Sequence, residues 1–222
     1  MDGVRLVLSD YDRTFTDETL QLAPGLAEAI RRLKGKGVMF SIVSGRKYSF
    51  MIDLFRRTDG LIDSFVAENG CIGYARGEKC LICNAVERGP LFSRLEGLGI
   101  EYDAGDIVVS VHRRHEAGVD EVLREFPGLQ AIRNVDSLML LPRGASKGAG
   151  ARWLMDVYCL SPRNMACIGD AENDVEMRAF CSLMGAVSNA LPAVKSESDY
   201  VCRGSFGSGL REFLEHIEAN CS

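Results

Sequence analysis

The sequence of 222 residues carries 26 Lys and Arg against 31 Asp and Glu, a net charge of −5. This balance argues against a nucleic-acid or anionic-membrane partner, since phosphate-backbone binders carry a basic excess, but it leaves room for a small anionic substrate at a local cationic site. With 46% hydrophobic residues the chain is long enough for one large domain, or a medium domain with an insert, to bury a core without staples.

No apolar run approaches the roughly 20 residues of a membrane span. The first residues lack a basic segment followed by a long apolar one, so they do not read as a signal peptide. The eight cysteines are scattered, several within apolar runs, and read as reduced thiols of a cytoplasmic protein.

Residues 4–9 form an apolar, β-forming run that predicts a buried strand. Pro24 marks a helix start, Leu26, Ile30 and Leu33 follow at helical spacing, and Gly35 and Gly37 close the helix. A strand at 38–43, a turn at Ser44-Gly45-Arg46, a helix at 47–57 and a strand at 61–67 follow. That alternation implies parallel strands joined by crossovers.

The pattern changes near Gly73. Short strands at 80–84, 107–111, 129–133 and 137–141, with helices at 89–98 and 116–126, predict an α+β insert that ends at a return hinge, Pro142-Arg143-Gly144. The core pattern then resumes with a helix at 147–158, a strand at 165–168, a helix at 175–180, short strands at 187–188 and 200–201, and a terminal helix at 210–217.

Asp10-Tyr11-Asp12 follows the first strand. Residues two apart in extended chain face the same way, so both carboxylates are expected at the carboxyl edge of the sheet, where open α/β folds bind ligands. Like charges that close repel, and a hard divalent cation such as Mg²⁺ relieves the repulsion. A solvated turn is the plainer reading of an isolated Asp-x-Asp. Here a second acidic run, Gly169-Asp170-Ala171-Glu172-Asn173-Asp174, follows the strand at 165–168. Helix capping is an alternative for Asp170 and Asp174, but carboxylates at two parallel strand ends together look like a magnesium cradle. Ser44 with the amides of Gly45 and Arg46 at a helix start suits an anion, with a simple N-cap as its alternative. Lys147 in a first helical turn opposes the helix dipole. That local misfit hints at function, with a surface lysine as the alternative.

The string Asp10-Tyr11-Asp12-Arg13-Thr14-Phe15-Thr16-Asp17 resembles the first motif of the haloacid dehalogenase (HAD) superfamily of phosphatases. Ser44, Lys147 and Gly169-Asp170 to Asn173-Asp174 resemble its second, third and fourth motifs, in the right order. Asn189-Ala190 and Ser198-Asp199-Tyr200 resemble the tail of the Cof-like branch. The likeness spans about residues 4 to 201 and leaves out the insert.

The resemblance implies an α/β fold: a Rossmann-like parallel-sheet core from residues 1–73 and 144–222, and a small α+β cap domain of the C2 type from 74–143, similar in size to that of archaeal phosphoglycolate phosphatases. It implies Asp10 as nucleophile and Mg²⁺ ligand. Asp12 would bind the metal through its backbone carbonyl and act as general acid, then base. Ser44, Gly45 and Lys147 would hold the phosphoryl group, Asp170 and Asp174 would bind the metal, and Asn173 would orient that end of the site. The implied activity is hydrolysis of a small phosphate monoester through an aspartyl-phosphate, phosphoglycolate foremost. A sugar-phosphate phosphatase, a phosphomutase and a non-catalytic phosphate-binding protein are the alternatives. The expected partner is a small phosphorylated metabolite, and the chain is expected as a monomer or homodimer.

Arg13 departs from the glycine usual in that superfamily; its guanidinium is expected to face solvent, with a bidentate contact to an anionic substrate group at the site entrance as the alternative. Cys80-Leu81-Ile82-Cys83 lacks a second pair or a nearby histidine, so it reads as part of a strand and not as a zinc site. Arg113, Arg114 and His115 have surface positions as their plainer reading and an anionic substrate as the alternative. A response-regulator receiver also phosphorylates an aspartate beside Mg²⁺, but it has no cap and places its acidic residues and lysine in another order.

Overall fold

The computed structural model describes residues 3–84, 87–134 and 137–220. The elements run β1 (Leu6–Ser9), α1 (Leu26–Gly35), β2 (Met39–Val43), α2 (Tyr48–Arg57), β3 (Ser64–Ala67), β4 (Ile72–Ala75), β5 (Glu78–Leu81), α3 (Arg88–Gly97), β6 (Tyr102–Ala104) and β7 (Val109–His112). They continue with α4 (Glu116–Glu125), β8 (Leu129–Asn134), β9 (Ser137–Pro142), α5 (Lys147–Val157), β10 (Met165–Gly169), β11 (Leu183–Ala186), α6 (Pro192–Ser196), β12 (Tyr200–Val201) and α7 (Phe206–Asn220). No helix among the described residues is long and apolar enough to cross a membrane.

Eight strands form one sheet in the order β12-β11-β10-β1-β2-β3-β4-β5. The pairs from β12 to β3 are parallel, and β3-β4 and β4-β5 are antiparallel. Every residue of β1, β3 and β10 is buried, as parallel strands covered by helices on both faces must be. That double burial explains why these strands read as continuous apolar runs. Helices α1 and α7 pack together, while α5 packs across β2 and β4 and against the segment Glu172–Phe180.

The second sheet is antiparallel, in the order β6-β7-β9-β8. Its Val109, Val111, Leu138 and Leu140 face α3 and α4, where Leu91, Leu95, Val119 and Val122 complete a separate apolar core. The alternation of strand side chains turns Ser110, His112, Ser137 and Met139 to the opposite face, and all four line the cleft above the first sheet.

Several expectations are corrected. The strand expected at 80–84 is Glu78–Leu81, and it belongs with β4 to the large sheet rather than to the insert. Gly73 marks this place because the Trp153 ring of α5 lies 2.3 Å from where a Cβ would stand, and no side chain can share that space. The strand expected at 187–188 lies at Leu183–Ala186, a run with no β-branched residue to announce it. The helix expected at 175–180 is a longer series of tight turns from Glu172 to Phe180. Three short elements, β4, β6 and α6, were not expected.

A carboxylate joins the two sheets. Glu68, in the turn after β3, is buried, with φ at 53°. Its oxygens accept N–H bonds from Asp106 at 2.8 Å, Ile107 at 2.7 Å and Val108 at 2.8 Å. Its own N–H donates to the Arg46 carbonyl at 2.9 Å, and the N–H of Asn69 donates to Ser44 at 3.0 Å. At Gly70, φ is +97° and a Cβ would stand 1.8 Å from the Ser146 oxygen. One turn therefore ties the insert to the loop after β2 and to the start of α5. Glu68→Ala is expected to cost about 3 kcal/mol or more, since it strands several polar groups at roughly 1–3 kcal/mol each. Denaturant unfolding measures the loss. Hydrogen exchange localises it, with faster exchange expected at the amides of residues 106–108; wild-type protection there would contradict the assignment.

Candidate active site

Adjacent strand ends bring the expected residues together. In the pairing of β1 with β10, Ser9 lies opposite Ile168, and the Asp10 N–H donates to the Ile168 carbonyl at 3.0 Å. Asp10 and Asp170 thus leave neighbouring strands at the same edge. Strand β2, on the other side of β1, ends at Val43, and Ser44 follows it. Ser146 caps α5 by accepting the Ala149 N–H at 3.1 Å, which starts the helix with Lys147 aimed at this edge. Its Nζ lies 2.6 Å from Asp10 Oδ1 and 2.6 Å from Asp174 Oδ1.

Asp10, Asp170 and Asp174 are all buried, and one oxygen from each lies within 4.8 Å of the others. Asp174 also accepts the N–H groups of Asp170 and Ala171 through Oδ2, each at 2.9 Å. The capping role and the clustered role therefore coexist, one on each oxygen.

The electrostatics are those of a charge deficit. Burial disfavours the Lys147 ammonium, but Asp10 and Asp174 outweigh it and raise its pKa above the ordinary value. Burial pushes the Asp10 carboxyl well up against the pull of Lys147, and the charge of Asp174 adds to the rise. Asp170 is pushed up to about 6, first by burial and then by Asp174. Three carboxylates share one buried ammonium and cannot all ionise comfortably. Closely spaced hard oxygen donors with excess negative charge fit a divalent cation such as Mg²⁺, which Asp10, Asp170 and Asp174 would hold.

Asp12 reaches the same cleft as Asp10, but apart from the acidic group. The chain leaves the extended conformation after Asp10 and coils through Tyr11–Phe15, so the two-residue alternation no longer applies. Asp10 turns inward, while the Asp12 side chain is 41% exposed and pairs with Arg46. Arg46 Nε lies 3.1 and 3.0 Å from the two Asp12 oxygens, and Nη2 lies 2.5 Å from Oδ1. The guanidinium stacks over Phe50, 5.0 Å from the ring centroid. Both residues line the same cleft as Asp10 and Lys147.

Ser44 is buried, and its Oγ accepts the Arg46 N–H at 3.1 Å. That bond closes a turn rather than capping α2, which begins only at Tyr48 with Lys47 at its N-cap. Gly45 lines the cleft. So does Asn173, whose Nδ2 donates to Asn69 Oδ1 at 3.2 Å.

Arg13 does not simply face solvent. Its Nε lies 3.2 Å from Asp170 Oδ2, across the acidic group. Arg114 and His115 turn to one another, with Arg114 paired to Glu101 at 2.9 Å, and neither lines the cleft. Arg113 and His112 do line it. Cys80 is exposed in β5, whereas Cys83 lies beyond the end of the strand, and its Sγ donates to the Cys71 carbonyl at 3.7 Å.

Sequence reasoning missed Arg46 as a side chain and Glu68 altogether. Their signals were a cation two residues after Ser44, and an acid followed by Asn-Gly directly after a buried strand.

The family model for haloacid dehalogenase-like hydrolases matches residues 7–95 and 120–214. A Metallosphaera sedula protein named phosphoglycolate phosphatase is 28% identical over 96% of this chain and 99% of its own. A Sulfurisphaera tokodaii protein of the same name is 29% identical over 96% and 93%. The crystal structure of a haloacid dehalogenase-like hydrolase from Bacteroides thetaiotaomicron shares the fold, with a TM-score of 0.85 at 18% identity over 97% of this chain and 100% of that one. With strand ends, acidic group and buried lysine arranged as described, and the family model matched over most of the chain, parts of the insert included, the chain belongs to the haloacid dehalogenase-like hydrolases, among the phosphatases of that superfamily.

Proposed function

We propose that the protein is a Mg²⁺-dependent phosphatase that hydrolyses a small phosphate monoester through an acyl-phosphate on Asp10, with phosphoglycolate as the leading substrate. The observation that carries this reading is the buried group of Asp10, Asp170 and Asp174, with Lys147 at 2.6 Å from two of them. When bound there, Mg²⁺ supplies charge neutralisation for a transferring phosphoryl group.

The chain's own residues would then divide the work. Asp10 attacks phosphorus with the carboxylate oxygen not held by Lys147, and the substrate's alcohol leaves. Asp12, half-exposed and held by Arg46 at the cleft, protonates the leaving oxygen and afterwards takes a proton from the water that opens the acyl-phosphate. The Ser44 hydroxyl, the Gly45 N–H and the Lys147 ammonium hold the phosphoryl oxygens. Asn173 orients the acidic loop through Asn69. The insert, proposed here to begin after β5 and to end at β9, closes over the cleft as a cap. The proposed location is the cytoplasm.

The names of the relatives support phosphoglycolate. The cleft itself favours a second reading. Its volume of about 1520 Å³ exceeds the roughly 300–1,000 Å³ of ordinary small-molecule pockets, so a phosphorylated sugar would fit as well.

A panel of small phosphate esters, with and without Mg²⁺, tests both. Metal-dependent release of phosphate, fastest from phosphoglycolate, is the expected result; no turnover of any ester would refute the enzyme reading. The pH dependence has a definite sign. A carboxyl raised from 3.8 to about 6 holds its proton in the folded state across that window. Without a cation, Asp170 therefore lowers stability as pH rises through it. Mg²⁺ competes with that proton, so the rise in thermal midpoint on adding Mg²⁺ is expected to be larger at pH 7.5 than at pH 5.

A further inference from the structure

Arg13 combines three observations. Its backbone is left-handed, at φ 61° and ψ 9°, a conformation that an arginine adopts reluctantly and that persists where the surroundings hold it. The hold is visible: Asn189 Nδ2 donates to the Arg13 carbonyl at 2.9 Å, while Asn189 Oδ1 accepts the Phe206 N–H at 2.7 Å. The root of the side chain is thus fixed to the core.

Its head is not fixed in the same way. The side chain is 50% exposed, lines the cleft and, among the described residues, pairs with two acids, Asp170 at 3.2 Å and the exposed Glu18 at 3.4 Å. The acid it grips most closely belongs to the group proposed to hold the cation.

We infer that Arg13 is a specificity residue that exchanges partners. Without a cation its guanidinium neutralises Asp170; once a divalent cation takes that carboxylate, the guanidinium turns to a second anionic group on the substrate, such as a carboxylate. This rests on the phosphatase reading above and narrows its substrate class to phosphate esters with a negatively charged tail. Two reasons support the exchange. A cation on Asp170 removes the negative potential that holds Arg13 there. A planar guanidinium rooted beside the nucleophile, on the cleft side, matches a carboxylate through two parallel N–H bonds.

Arg13→Ala and Arg13→Lys test the inference in two independent arms. Calorimetric titration with MgCl₂ alone needs no turnover. If Arg13 competes for Asp170, Arg13→Ala binds Mg²⁺ more tightly by about two- to fivefold, the size of a partly exposed ion pair. Equal or weaker binding would overturn the exchange, since it would make Arg13 a support for the metal site. The second arm compares kcat/KM for phosphoglycolate with that for ethyl phosphate, which has no charged tail. The ratio is expected to fall about tenfold in Arg13→Ala, as for a lost hydrogen bond to a charged group, and to recover in part in Arg13→Lys. An unchanged ratio would overturn the substrate contact. A wild-type protein that hydrolyses neither ester would instead sink the phosphatase reading, and the titration would still decide the contact with Asp170.

Discussion

Asp10→Asn is expected to abolish turnover and leave the fold standing. The substitution keeps the shape of the side chain and an oxygen for Lys147 Nζ, which sits 2.6 Å away, but the amide cannot form the acyl-phosphate. Loss of a covalent nucleophile costs about four orders of magnitude or more in kcat. The stability effect is opposite in kind. Burial already drives the Asp10 carboxyl toward its neutral form, so a neutral amide there relieves a strained charge, and Lys147 keeps Asp174 as its counter-ion at 2.6 Å. The thermal midpoint of the variant is therefore expected at or above that of the wild type without metal. Steady-state assays with Mg²⁺ and a thermal melt test the pair of expectations. Retention of more than a few percent of activity would remove Asp10 from the role of nucleophile.

Lys147→Met separates structure from chemistry in the other direction. The Lys147 side chain is 4% exposed and bonds two buried carboxylates. Removing one partner of a buried charge cluster leaves the others uncompensated, a loss of about 3–5 kcal/mol. For a domain of this size that corresponds to a fall of roughly 6–20 °C in thermal midpoint. The deficit is expected to narrow as pH falls, because protonation removes the exposed repulsion of Asp10 and Asp170, both already raised. It is also expected to narrow on addition of Mg²⁺, which replaces the missing positive charge. Activity is lost in either case. A variant as stable as the wild type at neutral pH without metal would mean that the acidic group does not depend on this ammonium.

Much of the site was legible because strand ends are legible. Asp10, Ser44 and Asp170 each follow a buried apolar run, and parallel pairing of β10, β1 and β2 aligns the ends of such runs. Lys147 was legible from its misfit in the first turn of α5. The place of Asp12 at the cleft was legible too, but its separation from the other acids was not, since the direction of a side chain depends on whether the chain stays extended, and here it coils at Tyr11. The strand β5 was expected with the insert and β4 was not foreseen, for a related reason: antiparallel strands added to the edge of a parallel sheet carry no local mark of the sheet they join.

By itself the sequence determined the α/β core, the order of its elements and the four loops that carry acids, serine and lysine. These follow from periodicity and from the residue types that short-range physics selects at strand ends and helix starts. Only the tertiary structure decided which charges meet: that Lys147 lies between Asp10 and Asp174, that Arg46 grips Asp12, that Arg13 reaches Asp170, and that Glu68 binds the amides of residues 106–108. Each of these contacts joins residues 27 or more positions apart. Their partners are chosen by distance in space and by the cost of leaving a buried charge or amide unpaired, a cost that arises only when the chain has folded.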